Sequence, residues 1–126
     1  MFSSAKVDIT TDASGDATVY LSHSNNRGVN GFLAEIKYTP GTIATGADLT
    51  ITTESGKPIM TKADAGTSLA FYYPRALLNA VADGAAATSP TEFIPIKDER
   101  IKVIVAQGGN GGVGSIEVLL ISNPPY

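Results

Sequence analysis

The chain has 126 residues, Lys+Arg 9 against Asp+Glu 12 for a net charge of -3, no cysteine and one histidine. That composition excludes a disulfide scaffold, thiolate metal sites, cysteine nucleophiles and the basic footprint of a nucleic-acid binder. The length predicts one domain, 1–126, large enough to bury a core without staples.

Met1-Phe-Ser-Ser-Ala-Lys-Val7 lacks a basic segment followed by an apolar run, so no signal peptide is expected. No stretch approaches the ~20 apolar residues of a membrane helix, which predicts a soluble protein made in a cytoplasm, with no membrane partner. Only 17% of residues are charged, fewer than a free surface normally carries. A chain that shares its surface with neighbours tolerates that.

In chain order, Lys6–Thr10 alternates with Val7 and Ile9 on one face, Thr11–Asp16 is a turn cluster, and Ala17–Ser22 alternates again through Val19 and Leu21. Two such runs around a turn predict a hairpin. After a polar loop at His23–Gly28, residues 31–39 place Phe32, Ala34, Ile36 and Tyr38 on one face, and Pro40-Gly41 stops the strand. Asp48–Thr53 and Pro58–Lys62 form a further strand pair around Glu54–Lys57, and Ser68–Tyr73 is aromatic and β-prone.

Pro74–Gly84 admits two readings. Leu77, Leu78 and Val81 have helical spacing after a proline start; otherwise the segment is an extended excursion over the sheet. Ala85–Pro90 reads as loop, and Glu92–Lys97 as an edge strand because of Pro95. The strongest signal is Glu99–Gln107 and Ser115–Ile121 around Gly108-Gly-Asn-Gly-Gly-Val-Gly114. Ile101, Val103 and Val105 alternate in the first run, Ile116, Val118 and Leu120 in the second. This predicts an antiparallel hairpin, and apolar residues on the second face (Ile104, Leu119, Ile121) mark central or covered strands. The whole is an all-β antiparallel sandwich or jelly roll of about eight or nine short strands, with at most one short helix. Its predicted core is Val7, Ile9, Val19, Leu21, Phe32, Ile36, Leu49, Ile51, Ile101, Val103, Val105, Ile116, Val118 and Leu120.

No catalytic, cofactor-binding or metal constellation emerges. His23 stands alone in a loop, so a zinc site has no second histidine. Asp12 and Asp16 lack the spaced oxygen ligands of a calcium loop. Glu35 and Glu117 would serve glycoside hydrolysis only if they faced each other across a groove. The glycine-rich loop leads into a strand, whereas a phosphate loop opens a helix. What remains is contact chemistry. Phe71-Tyr-Tyr-Pro-Arg75 sends adjacent aromatics to opposite sheet faces, and tyrosine with arginine is the composition of interface hot spots. The candidate interface comprises Phe2, Tyr72, Tyr73, Arg75 and the tail residues Pro124, Pro125 and Tyr126. Packing of Tyr72 or Tyr73 beneath Leu77-Leu78 is the alternative.

Four segments together resemble a group of small all-β phage and prophage virion proteins: Val7-Asp-Ile-Thr-Thr-Asp-Ala-Ser-Gly-Asp-Ala-Thr18, Asn30-Gly-Phe-Leu-Ala-Glu-Ile-Lys-Tyr38, Phe71-Tyr-Tyr-Pro-Arg75 and Glu99-Arg-Ile-Lys-Val-Ile-Val-Ala-Gln-Gly-Gly-Asn110. The resemblance implies a capsid decoration or cement protein, a homotrimer on the major capsid protein, located in the virion and assembled in the host bacterial cytoplasm. A tail, collar or head–tail adaptor component and a carbohydrate-binding β-sandwich are the other readings.

Overall fold

The computed structural model describes residues 2–23, 26–79 and 83–122. It is all-β and antiparallel, with eleven strands among those residues: β1 Phe2–Thr10, β2 Ala17–Leu21, β3 Val29–Thr39, β4 Asp48–Thr53, β5 Pro58–Lys62, β6 Ala70–Tyr72, β7 Ala76–Asn79, β8 Ala86–Glu92, β9 Ile94–Glu99, β10 Ile101–Ala106 and β11 Val113–Ile121. One sheet has the order β1-β11-β3, with β6 and β9 sharing the far edge of β3; the second runs β2-β10-β4-β5; β7 and β8 form a separate two-stranded ribbon. The inward faces of the two large sheets share one apolar cluster, in which Ile9, Leu21, Ile36, Leu49, Ile51, Ile101, Val103, Val105, Ile116, Val118 and Leu120 are buried. The arrangement is sandwich-like, as the alternation predicts.

Two predicted hairpins are corrected. β10 pairs with β2 and β4, whereas β11 pairs with β1 and β3. The glycine-rich loop therefore crosses from one sheet to the other, and so does the Thr11–Asp16 turn between β1 and β2. Period-2 alternation says that a strand has a buried face; it does not say whether the next strand lies ~5 Å away in the same sheet or ~10 Å away in the opposite one. The two crossing loops pair with each other. Thr11 N donates to Gly112 O (2.9 Å) and Gly108 N to Gly15 O (2.7 Å), while buried Thr11 Oγ1 accepts from Gly112 N at 2.7 Å. The pair β4–β5 is a true hairpin, as expected.

The predicted face of β3 is also corrected at its start. Leu119 stands opposite Glu35 but Leu120 opposite Leu33, so Ala34 is an extra residue on β3, a β-bulge. It reverses the alternation: Leu33 is buried in place of Phe32. Val7 and Val19 pack at the margin of the core. For residues 74–84 the extended reading holds over Ala76–Asn79, which pairs with β8; residues 80–82 lie outside the described ones. The loop expected at 85–90 is strand β8 from Ala86 onward.

Tyr38 is fully buried, and its hydroxyl has no hydrogen-bond partner among the described residues. Burial, and next the neighbouring Tyr72, push the phenol above its ordinary range. An unpartnered buried hydroxyl costs about 1–3 kcal/mol. Tyr38→Phe is therefore expected to melt at or above the parent temperature in a calorimetric scan. A fall of several degrees would show that the hydroxyl is bonded after all, to a buried water.

Candidate functional site

The segment after β5 leaves the most apolar surface uncovered. Large exposed hydrophobic side chains in the described chain are Phe2, Leu69, Phe71, Tyr73, Leu77, Leu78 and Val113, and five of these seven fall between positions 69 and 78. Register explains the first part. Tyr72 stands opposite Ile36 and Phe71 opposite Lys37, so Tyr72 turns inward against the core, while Phe71 and Tyr73 (61% exposed) face solvent. The ribbon β7–β8 explains the rest. Ala76 packs against the core, yet Leu77 and Leu78 follow on opposite faces and both are exposed. A lone two-stranded ribbon is marginal in water, so it depends on its anchorage.

Arg75 supplies that anchorage. Its Nη1 donates to Ala34 O (3.0 Å) and to Pro74 O (2.9 Å), and its guanidinium lies 4.2 Å over the Phe93 ring. The bulge at Ala34 thus gains a charged donor for its carbonyl, and the ribbon is fixed to β3 at its root. Of the predicted interface residues, Phe2 (68% exposed) and Tyr73 lie on the surface, Tyr72 is half-buried, and Arg75 is engaged within its own chain. Pro124, Pro125 and Tyr126 lie outside the described residues.

Beside Phe71 the outer face of the five-stranded sheet has a shallow groove of about 310 Å³ lined by Ser4, Glu35, Lys37, Phe71, Glu117 and Leu119. Sequence reasoning left the relation of Glu35 to Glu117 open; the pairing β11–β3 puts both on this groove, with Lys37 opposite Glu117. Among the described residues the one ion pair is elsewhere, Arg100–Glu54. Asp12 uses Oδ1 to accept from Ser14 N (2.9 Å) and Asp16 N (3.0 Å), the work of a turn residue. No group of three or more metal-ligating side chains occurs among the described residues, and no helix there is long and apolar enough to cross a membrane.

A polar clamp ties the sheets together at the other end. Ser55 N donates to Glu99 Oε1 at 2.8 Å, Lys57 Nζ to Pro95 O at 2.6 Å, and Arg100, which pairs with Glu54, lies 4.3 Å over Tyr20. The Arg100 hydrogen bond holds the Glu54 carboxyl below the usual range; Ser55, first by its side chain and then by its backbone N–H, does the same for Glu99. Carboxyls depressed in the folded state stabilise it fully above their unfolded value, ~4.3, and lose that effect as pH falls through the depressed values. Melting temperature is therefore expected to fall below about pH 4.3, with a shallower fall in a Glu54→Gln/Glu99→Gln variant followed by circular dichroism. Parallel pH profiles would remove the clamp from the acid response.

The fold and surface together define a small antiparallel β-sandwich-like protein with an anchored apolar ribbon. Comparison with protein-family models gives no match, and comparison with curated proteins finds no relative.

Proposed function

We propose that this protein is a structural component that docks on a larger assembly, specifically a decoration protein on the outer surface of a phage capsid. The observation that carries the docking is the concentration of exposed Leu69, Phe71, Tyr73, Leu77 and Leu78 on one anchored segment. Uncovered large apolar side chains gathered on one segment in this way mark contact sites, and aromatic anchors dominate their energetics. The resemblance of the four segments to phage virion proteins supplies the partner, the major capsid protein. Binding to the expanded shell alone would stabilise that state by mass action, and many copies on a closed lattice would add avidity to modest contacts.

Co-sedimentation with empty expanded heads tests this reading, with circular dichroism as the folding control. Tyr73→Ser and Leu77→Ser leave the Arg75 anchorage in place. Both are expected to fold and to lose at least tenfold in shell affinity, about 1.4 kcal/mol. Saturation of shells at parent affinity by both folded variants, or no binding by the parent, would overturn the proposal.

A further inference from the structure

Strand β1 is an unusually open sheet edge. Edge strands normally carry devices that block pairing with another chain: shortness, proline, bulges or inward charges. The other edges of the two large sheets are shorter or interrupted. β2 and β5 are five residues each, and β5 begins at Pro58. β6 has three residues, and β9 contains Pro95 and a positive φ at Asp98. β1 runs nine residues without proline or glycine and keeps register with β11 from Phe2↔Ile121 to Thr10↔Val113 without a shift. Among the described strands, β11 is its one partner. Its pairing deterrents are the two outward charges Lys6 and Asp8.

We infer that β1 pairs antiparallel with β1 of a second copy of this chain, about a two-fold axis at Val7, joining the two five-stranded sheets into one. The charge pattern selects both the occupant and the register. A two-fold pairing that keeps the apolar faces on one side and engages five or more residues of β1, both Lys6 and Asp8 among them, admits registers centred on Ala5, Lys6, Val7 or Asp8. Centring on Ala5 sets Lys6 against Ser4 and Asp8 against Phe2, so neither charge gains a partner. Centring on Lys6 opposes two lysines, and centring on Asp8 opposes two aspartates, each unfavourable directly across a ladder. Centring on Val7 sets Lys6 against Asp8 of the second copy, twice by symmetry. It also sets Val7 against Val7 and Ala5 against Ile9 on the buried face, covering half-exposed Val7. Within one chain Lys37, Glu117 and Lys6 already stand side by side across β3, β11 and β1. In this register the second copy's Asp8 continues the row, so the signs alternate through the junction. Isologous contacts of this kind are the commonest route to a closed assembly.

The test uses the full chain in sedimentation equilibrium. The parent is expected at twice 13.0 kDa. Lys6→Asp alone and Asp8→Lys alone each place like charges opposite one another and are expected to weaken self-association about tenfold or more. An equimolar mixture of these two variants restores opposite charges at every cross pair and is expected to regain the two-copy mass. Both altered residues are exposed, and melting curves check that each variant folds. A parent of one-copy or three-copy mass would overturn the pairing. Variants that associate as the parent does, or a mixture no tighter than its components, would also overturn it.

Discussion

Val103→Asp is expected to abolish cooperative folding at room temperature. Val103 is fully buried on an inner strand of the four-stranded sheet, with Val19 opposite on one side and Ile51 on the other. A carboxylate there would lose its hydration among branched apolar side chains with no cation in reach, a cost of several kcal/mol. The total stability of a domain this size is about 5–15 kcal/mol, so one such change removes most of it. The adjacent Lys102 projects to the other face and is half-exposed; Lys102→Ala should stay within about 0.5 kcal/mol of the parent. Calorimetric melts of the two variants make the comparison. A Val103→Asp protein that melts within a few degrees of the parent would mean that β10 is not an inner strand.

The strands around Val103 are legible in the sequence because both faces of the sandwich impose the same period. Ile101, Val103 and Val105 had to share a side, and so did Ile116, Val118 and Leu120. What the pattern does not encode is the partner. The order of β10 and β11 depends on a loop crossing the core, and that crossing is fixed by Thr11, Gly15, Gly108 and Gly112 meeting across some hundred residues of sequence. The Phe32-for-Leu33 reversal has a similar origin. The bulge at Ala34 is visible only against β11; in isolation the apolar run Phe32-Leu33-Ala34 fits either face, and the alternation of 34–38 extends back through Phe32. At Leu77-Leu78 the period is uninformative because both side chains are exposed. A ribbon without a core of its own leaves no face to alternate against, and the helical spacing there is coincidental.

The candidate site was partly legible for the same reason. Adjacent aromatics at Phe71, Tyr72 and Tyr73 must alternate faces, and they do. The inward role of Arg75 was not legible, because its acceptor is a carbonyl 41 positions away that the bulge brings within reach. Nor was the groove joining Glu35, Lys37 and Glu117, which the four neighbouring strands β1, β11, β3 and β6 line through register alone.

Gly41→Ala is expected to be far more damaging than Gly111→Ala, although both glycines have similar left-handed backbones, φ +55 and +66. The conformation itself costs an alanine about 1 kcal/mol at either position. Space separates them. A Cβ at Gly111 meets nothing within 4 Å, whereas at Gly41 it would lie 2.2 Å from the Val113 carbonyl oxygen. That oxygen is held: it accepts from Thr42 N at 2.8 Å, and Val113 N donates to Thr42 Oγ1 at 2.9 Å. An alanine at position 41 must therefore push the β3–β4 turn off the start of β11 and break both bonds, at about 1 kcal/mol or more each beyond the strain. The expected losses are about 1 kcal/mol for Gly111→Ala and about 3 kcal/mol or more for Gly41→Ala, read from the midpoints of urea unfolding at unchanged slope. Equal losses would mean that the turn yields without cost and that β11 begins independently of it.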